Sequence, residues 1–333
     1  MEYNQAVNNR NLSTKKAIIF GISGQDGSYL ARLLLEKGYE VYGTSRDAEL
    51  QNFKNLKKLG IIKRVNLSSV AINDFGSVSQ CIQNISPDQI YNLAGQSSVA
   101  ISFDQPHETL KSIEMGTLNI LESIRLFGKE IKLYNACSSE CFGDTGSTVA
   151  DETTPFQPRS PYAVAKAESY WMVATYREAY NIFACSGILF NHESPLRPDN
   201  FVTQKIVQAV VEISKGNSQK LTLGNIDIVR DWGWAPEYVE AMHLIVENNV
   251  AEDFVVATGS THSLKDFLSI AFSYFDLDWQ EYVEIDEALY RPSDISFNRG
   301  NPKKINSVLG WSSTFTLENI VFAMISERLN YAQ

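Results

Sequence analysis

The sequence predicts an α/β fold in which a doubly wound parallel sheet is joined to a smaller carboxy-terminal part. Short apolar runs alternate with helical stretches up to residue 190, as in parallel sheets covered by helices on both faces. A glycine-rich turn follows the first apolar run. After Asn191 the chain changes to loops rich in Pro, Arg, Asn and Asp, which indicates a separate ligand-binding part.

The individual elements follow from hydrophobic periodicity. A strand over residues 17–20, a glycine turn over 21–27, a helix over 28–37 and a strand over 40–44 make a βαβ opening. Later strands are predicted over 89–92, 131–135 and 183–189, and helices over 75–84, 107–127, 162–180 and 317–329. Open sheets of this kind bind their ligands beyond the carboxyl ends of the strands.

The first turn has glycines at three regularly spaced positions, Gly21, Gly24 and Gly27. Backbone amides there, together with the positive end of the following helix, can hold a pyrophosphate. The spacing differs from the commonest dinucleotide fingerprint and also occurs in ordinary turns. The strand before it and the helix after it nevertheless favour a Rossmann-type, dinucleotide-binding domain.

Three parts of the chain are expected on this basis. Residues 1–14 form a polar, Asn-rich and flexible extension, residues 15–190 a Rossmann-type NAD(P)-binding domain, and residues 191–333 mainly a smaller substrate-binding domain. No repeat or long linker separates the last two parts. The chain is therefore expected to cross back to the Rossmann part.

The residues after the second predicted strand bear on the choice of cofactor. Enzymes that prefer NAD usually place an acid here for the ribose hydroxyls, whereas this chain has Arg46. An arginine suits the 2′-phosphate of NADP, although it could also be an ordinary surface residue. The neighbouring Asp47 could still serve a ribose, so NADP is expected and NAD stays open.

Composition excludes several classes of function. Lys and Arg total 29 against 39 Asp and Glu, and the net charge of −10 argues against nucleic acids and anionic membranes as partners. Neither a signal peptide over residues 1–14 nor a membrane span of about 20 apolar residues is present in the sequence. A protein of the cytoplasm is expected.

The cysteines suggest no metal and no disulfide. The four of them show no Cys-x-x-Cys pair, and no histidines cluster with them, so a reducing compartment fits best. Cys137 and Cys141 are four residues apart and could form a redox pair. Burial of small residues at a strand end is the preferred interpretation.

A candidate catalytic group comes from two separated segments. Tyr162 and Lys166 lie one helical turn apart, and a nearby lysine lowers the pKa of a tyrosine towards the range of a general base. This spacing arises by chance in a chain with 15 tyrosines. However, Ser138 and Glu140 follow the predicted strand over 131–135, where parallel sheets place their ligand sites, so the two signals support each other.

Longer motifs identify a family. The segments GISGQDGSYL (21–30), YNLAGQS (91–97), RSPY (159–162), NHESP (191–195) and RDWG (230–233) resemble the GDP-mannose 4,6-dehydratase family of the extended short-chain dehydrogenase/reductases. The resemblance runs from about residue 16 to residue 311. It implies a redox-neutral dehydration of a GDP sugar with NADP as a hydride shuttle.

The resemblance also implies roles for individual residues. Tyr162, supported by Lys166 and Ser138, would take the proton from the sugar 4-hydroxyl, and Glu140 would remove the proton from carbon 5. Cofactor contacts are implied for Gly21, Gly24, Gln25, Asp26, Gly27, Arg46, Leu93, Ala94, Tyr162, Lys166 and His192. Substrate contacts are implied for Ser97, Ser139, Asn191, Lys205, Arg230 and Arg291, with Ser139 also assisting the departure of water.

The chain departs from the family pattern at several positions. Ser138 stands where the family usually has Thr, and Asp47 replaces a second Arg. Val70-Ala71 replaces Gly-Asp after the third strand, while Gln204 and Asp294 replace Arg and Glu. Most of these changes fall on cofactor and nucleotide contacts.

Two other activities stay open at this point. A GDP-4-keto-6-deoxy-sugar reductase or epimerase could use the same scaffold, and a dehydratase could act on another GDP sugar. A non-catalytic dinucleotide sensor is disfavoured because all four candidate catalytic side chains are present. The resemblance further implies a homodimer or homotetramer formed through the helices over 107–127 and 162–180.

Overall fold

The computed structural model describes residues 14–217 and 220–331. In chain order, strands β1 to β14 span Lys16–Phe20, Glu40–Ser45, Asn66–Ser69, Gln89–Asn92, Lys132–Ser138, Ala184–Leu189, Asn191–Glu193, Leu221–Leu223, Val229–Arg230, Trp232–Trp234, Phe254–Val256, His262–Ser263, Val283–Ile285 and Phe297–Asn298. Helices α1 to α12 span Gln25–Glu36, Lys54–Lys58, Phe75–Ile85, Val99–Asp104, Pro106–Leu110, Gly116–Phe127, Pro161–Tyr180, Val202–Ser214, Ala235–Glu247, Leu264–Ser273, Lys303–Leu309 and Leu317–Tyr331. The flexible extension expected over residues 1–14 lies almost wholly outside the described residues.

A parallel sheet dominates the described part of the chain. Its strands lie in the order β11-β6-β5-β4-β1-β2-β3, and each neighbouring pair is parallel. The strand order reverses between β1 and β4, which opens a crevice beyond their carboxyl ends. This topology confirms the predicted doubly wound α/β fold.

Helices cover both faces of the sheet. Ile18 and Phe20 of β1 pack into a core with α3, α6 and α7, whereas Ile19 faces a second core made largely by α1 and α9. All three side chains are fully buried. A strand buried on both faces needs a continuous apolar run, and each such side chain contributes about 1.5–3 kcal/mol by leaving water.

The chain returns to this sheet after it has left it. Strand β11 pairs with β6, and helix α9 packs against α1. Helices α8, α10 and α12 pack together in a separate core of apolar side chains. Residues 235–256 therefore belong structurally with the Rossmann sheet, although they follow residue 190 in the sequence.

The observed boundaries differ from the predicted ones in three informative places. Helix α1 begins at Gln25 rather than at residue 28, because Gly24 takes an extended conformation and caps it. Strand β5 continues to Ser138. A single π-helical turn, Lys111–Met115, separates α5 from α6 within the helix predicted over 107–127. No helix among residues 14–217 and 220–331 is long and apolar enough to cross a membrane.

Candidate active site

A cavity of about 470 Å³ lies beyond the carboxyl ends of the central strands. Its walls come from the segments after β4, β5 and β6 on one side and from α8, β8 and the loop after β13 on the other. All four candidate catalytic residues line it, and so do ten further residues that the sequence analysis named: Asp26, Leu93, Ser97, Ser139, Asn191, His192, Lys205, Arg230, Arg291 and Asp294. The fold therefore brings together residues that are more than 250 positions apart in sequence.

The glycine turn has the shape that a pyrophosphate requires. Gly21 has φ +86°, and a Cβ there would lie 2.8 Å from the carbonyl carbon of Leu93. A Cβ on Gly27 would lie 2.7 Å from the Cα of Ile22, so helix and strand could not pack as closely. A Cβ on Gly24 would meet only the carbonyl oxygen of Gly21, at 3.5 Å. Two glycines thus close the turn, and the middle one leaves its outer side free for a dinucleotide to approach.

The side chain of Gln25 makes hydrogen bonds within the protein. Its Nε2 donates hydrogen bonds to the carbonyl oxygen of His192, at 3.2 Å, and to Asp26. Its Oε1 accepts one from the hydroxyl of Ser194, at 2.7 Å. The buried amide therefore ties the glycine turn to the segment after β6, and this is the structural reason for a glutamine at the start of α1.

Asp26 and His192 form a pair at the edge of the cavity. Nε2 of His192 lies 2.9 Å from Oδ2 of Asp26, and Nδ1 lies 2.7 Å from the carbonyl oxygen of Phe190. The imidazole ring also stacks on the ring of Tyr238, with centroids 4.5 Å apart. Both residues predicted to contact the cofactor therefore lie side by side, with the imidazole held from three directions.

Tyr162 and Lys166 project from the first two turns of α7. The phenol shares a hydrogen bond with the hydroxyl of Ser138, and Nζ of Lys166 donates to the carbonyl oxygen of Ala136 at 2.7 Å. The ammonium lies 5.9 Å from the centre of the Tyr162 ring. Helix α7 begins one residue earlier than predicted because Ser160 caps it and Pro161 occupies its first turn.

The expectation that Lys166 lowers the pKa of Tyr162 is wrong for the protein by itself. Burial raises the pKa of Tyr162 above its ordinary value and outweighs the hydrogen bond from Ser138, which lowers it. Burial also lowers the pKa of Lys166. The charge of the lysine is directed to the carbonyl of Ala136, so desolvation of the phenol dominates.

Glu140 lies in a single 3₁₀ turn, Ser139–Phe142, that directly follows β5. Its backbone amide donates to the hydroxyl of Ser138 at 3.3 Å, so the two functional groups share one rigid turn. Burial raises the pKa of the Glu140 carboxyl, while the charges of Arg230 and Arg291 lower it in part. A carboxyl group whose pKa is raised by its surroundings is suited to proton transfer near neutral pH.

Basic and polar side chains form the far wall. Arg230 is 4% exposed; its Nη1 donates to the carbonyl oxygen of Val229, and its Nη2 lies 3.5 Å from Oδ1 of Asp294. Nη1 of Arg291 lies 3.7 Å from the same oxygen. One carboxylate therefore holds two guanidinium groups, which leaves a net positive wall suited to a diphosphate.

Some predicted cofactor residues lie outside the cavity wall. Gly21, Gly24, Arg46 and Ala94 instead follow the ends of β1, β2 and β4, and Gln25 and Gly27 lie in the first turn of α1. Nη1 of Arg46 forms an ion pair with Oε1 of Glu108, at 3.1 Å. The other acid at this strand end, Asp47, accepts hydrogen bonds from the backbone amides of Glu49 and Leu50.

Sequence reasoning missed one cation of the wall. Arg197 lines the cavity, with its guanidinium 3.8 Å from the centre of the Phe201 ring and its Nε 3.4 Å from Oε2 of Glu193. The Pro- and Arg-rich composition after Asn191 was the available signal. Composition alone does not indicate which of several arginines faces a ligand.

The two neighbouring thiols belong to a buried apolar cluster. Sγ of Cys137 lies 3.7 Å from Sγ of Cys141, and both side chains are buried. Burial raises the pKa of the Cys141 thiol, which makes its reactive thiolate rare.

Comparisons with known proteins agree with this geometry. Residues 18–324 match the family model described as GDP-mannose 4,6 dehydratase. A relative in Arabidopsis thaliana, GDP-mannose 4,6 dehydratase 1, is 44% identical over 96% of this chain and 91% of its own length. The GDP-mannose 4,6-dehydratase of Vibrio cholerae is 39% identical over 96% of this chain and 95% of its own length.

Solved structures of nucleotide-sugar enzymes share the fold. The dTDP-glucose 4,6-dehydratase of Bacillus anthracis, determined with NAD, superposes with a TM-score of 0.83 over 95% of this chain and 97% of that one, at 18% identity. The shared fold, the family model and the curated relatives give one conclusion: the chain belongs to the GDP-mannose 4,6-dehydratase family.

Proposed function

We propose that this protein converts GDP-mannose to GDP-4-keto-6-deoxymannose by an internal oxidation, an elimination of water and a reduction. The observation that carries the proposal is the meeting of Tyr162, Lys166 and Glu140 in one buried crevice. A plain reductase or epimerase has no elimination to drive and does not need a carboxylate beside the phenol.

A nicotinamide cofactor is required for this reaction, and the glycine turn supports one. When bound, the oxidised nicotinamide would accept hydride from carbon 4 of the sugar and return it at carbon 6. The open outer side of Gly24 supports the pyrophosphate, and Asp26, Leu93 and His192 face the same crevice. Arg46 beyond β2 supports NADP as the cofactor, since its guanidinium can pair with a 2′-phosphate.

Tyr162 is assigned the proton of the sugar 4-hydroxyl. Its phenol is buried and hydrogen-bonded to Ser138, which fixes the oxygen and can pass the proton onward. Burial raises the pKa of this phenol, so ionisation requires positive charge nearby. Lys166, one turn along the helix, supplies a fixed ammonium, and an oxidised nicotinamide ring would add a second positive charge.

Glu140 is assigned the proton on carbon 5, which a 4-keto group makes acidic. Glu140 lies two residues after Ser138, in the turn that Ser138 caps, which supports a role at the ring carbon adjacent to the one that Tyr162 would serve. Its raised pKa lets it hold the proton and then return it. Ser139, in the same turn and on the cavity wall, would assist the departure of the carbon 6 hydroxyl. This hydroxyl would leave as water by taking up the proton that Tyr162 removed from the 4-hydroxyl and passed on through Ser138.

The nucleotide end of the substrate would lie against the opposite wall. Arg230 and Arg291 are held in place by Asp294 and can contact the diphosphate from one side. Lys205 and Asn191 supply further donors on the cavity wall, and Ser97 faces the sugar from the segment after β4. Charge-assisted hydrogen bonds to a diphosphate suit a local basic pocket in a protein of net charge −10.

The test is incubation of the purified protein with GDP-mannose and a catalytic amount of NADP. We expect the 4-keto-6-deoxy product without net accumulation of NADPH. Turnover of a different GDP sugar in place of GDP-mannose would keep the reaction and change the substrate. If the protein consumed a GDP-4-keto sugar together with stoichiometric NADPH but did not consume GDP-mannose, it would be a reductase instead.

We further propose a homodimer or homotetramer of the cytoplasm. Val164 and Trp171, seven residues apart on α7, are 46% and 60% exposed, and Met115 beside α6 is 42% exposed. An apolar strip of this size on neighbouring helices supports a second copy as its partner. The molar mass in solution tests the assembly. All four cysteines are free thiols, which supports a reducing compartment.

A further inference from the structure

We propose that Glu108 sets the selectivity between NADP and NAD by pairing with Arg46. The proposal rests on the nicotinamide cofactor of the proposed function and deepens it. Glu108 is absent from the sequence-derived site, because nothing in its local sequence links helix α5 to the end of β2.

The relevant geometry joins two distant segments. Arg46 directly follows β2, whose carboxyl end borders the glycine turn through the parallel pairing of β1 and β2. Glu108 lies 62 positions further on, in α5, and its Oε1 is 3.1 Å from Nη1 of Arg46. The carboxylate therefore stands at the place where a 2′-phosphate held by Arg46 would lie.

The other acid at this position is already engaged. Oδ1 of Asp47 accepts hydrogen bonds from the backbone amides of Glu49 and Leu50, both at 3.0 Å. These bonds close the turn after β2 and direct the carboxylate into it. Of the two acids beside the guanidinium, Glu108 is thus the one that faces it.

Exposure decides how this pair can act. The side chains of Arg46 and Glu108 are 82% and 45% exposed, so their ion pair adds little to stability and separates easily. Arg46 is therefore available to a phosphate. The carboxylate of Glu108 would still remain close to that phosphate and repel it, whereas it could accept a hydrogen bond from the free ribose hydroxyl of NAD.

The two cofactors should respond to Glu108 in different ways. A like charge a few ångströms from an exposed phosphate weakens binding about three- to tenfold at low salt, and the effect fades as salt screens it. NAD carries no 2′-phosphate and escapes this penalty. Arg46 alone would give the protein a strong preference for NADP. Pairing with Glu108 weakens that preference in favour of NAD.

The experiment compares the parent with Glu108→Gln by titration calorimetry against NADP and NAD separately, at low and high salt. We expect Glu108→Gln to bind NADP about three- to tenfold more tightly at low salt, with a smaller gain at high salt and no gain for NAD. The matched control is Asp104→Asn, which removes an exposed negative charge from neighbouring helix α4. It should leave both affinities unchanged.

A coupling measurement separates this role from a general charge effect. Arg46→Ala should weaken NADP binding more in the Glu108→Gln background than in the parent. Without the carboxylate of Glu108, Arg46 contacts the phosphate fully, so its replacement removes a stronger contact. Equal changes for NADP and NAD in Glu108→Gln, or none, would overturn the proposal. Failure of the parent to bind either cofactor would instead overturn the proposed function, and the proposal with it.

Discussion

Nε2 of His192 lies 2.9 Å from Oδ2 of Asp26, a pairing that favours the protonated form of the imidazole ring. Nδ1 lies 2.7 Å from the carbonyl oxygen of Phe190, and a carbonyl only accepts, so Nδ1 carries a hydrogen. Nε2 must carry one as well if it is to donate to the carboxylate. Although burial opposes both shifts, Asp26 raises the pKa of His192 and His192 lowers the pKa of Asp26.

Asp26→Asn should destabilise the fold, because it removes the charge that the buried imidazolium requires. We expect a loss of about 3 kcal/mol in the free energy of unfolding near pH 7. The stabilising effect of His192 is present below its unfolded pKa and is lost as pH rises through its raised folded pKa. Urea unfolding at pH 6 and pH 9 measures this, and the free energy of unfolding of Asp26→Asn should fall further below that of the parent at pH 6 than at pH 9.

The control for this prediction is Glu36→Gln, which neutralises an exposed carboxylate on the same helix. It should change stability by less than about 0.5 kcal/mol. A similar loss in both variants would show that helix charge, rather than the pair with His192, is responsible.

Gly24→Ala and Gly27→Ala should separate cofactor binding from folding. Gly24 has φ −72° and space for a Cβ, so alanine should leave the melting temperature nearly unchanged while weakening NADP about tenfold or more, by obstructing the pyrophosphate. Gly27→Ala should lower stability by about 1–3 kcal/mol, because its Cβ would overlap the backbone at Ile22. Thermal melting and NADP titration of both variants provide the check. Equal changes in melting temperature and NADP affinity in the two variants would contradict the conclusion that the dinucleotide approaches the turn at Gly24.

Much of this site could be predicted from the sequence, because its residues follow strands. Ser138 is the last residue of β5, Glu140 lies in the turn that follows it, and His192 lies in β7 shortly after β6, so periodicity and the rules of parallel sheets locate them. Glu108 could not be predicted in this way. Its contact with Arg46 depends on how α5 packs against the end of β2, which no local pattern encodes.

The second part of the molecule was harder to predict for a related reason. Strands β9, β12 and β14 have two residues each, too few for any periodicity to appear. The return of β11 to the central sheet depends on long-range pairing with β6. Similarly, the direction of the Tyr162 pKa shift could be predicted only with knowledge of how deeply the phenol is buried. The sequence shows the nearby lysine but not this burial.

Glu140→Gln should slow turnover about 10²- to 10⁴-fold while cofactor and GDP-sugar binding stay within about threefold of the parent. The amide keeps the shape of the side chain but cannot accept the carbon 5 proton. Because burial raises the pKa of Glu140, the parent should lose activity on the acid side at a pH above that expected for an exposed glutamate. This acid limb should disappear from the residual activity of the variant. Turnover like that of the parent would exclude the assigned role.

His243→Phe should make the fold more resistant to acid. Burial lowers the pKa of His243 to about 4, and its buried Nε2 has no hydrogen-bond partner among the described residues. The unfolded chain therefore takes up a proton near pH 6.5 that the folded protein refuses until about pH 4, so stability falls as pH falls through that interval.

Phenylalanine keeps the edge-on contact with Tyr39 and removes the titrating group. We expect the variant to gain about 2 kcal/mol relative to the parent between pH 7 and pH 4.5, after allowance for partial solvent screening. Asp231, whose pKa burial raises to about 6, is present in both proteins. The difference in free energy of unfolding between the two proteins, measured with urea, therefore reports on His243 alone. A difference that does not vary with pH would refute this account.

GDP-mannose labelled with deuterium at carbon 4 should give a product that carries the label at carbon 6. The reason is the single crevice that holds Tyr162 and Glu140 together, since oxidation at carbon 4 and reduction at carbon 6 then occur without release of the sugar. The label should persist in an excess of unlabelled NADPH. In heavy water, solvent deuterium should appear at carbon 5, because the proton that Glu140 removes exchanges with solvent before it is replaced. Mass spectrometry and proton NMR of the product measure both positions. Loss of the carbon 4 label to the cofactor pool, with the 6-hydroxyl retained, would indicate a simple dehydrogenase and contradict the assignment of an elimination to Glu140.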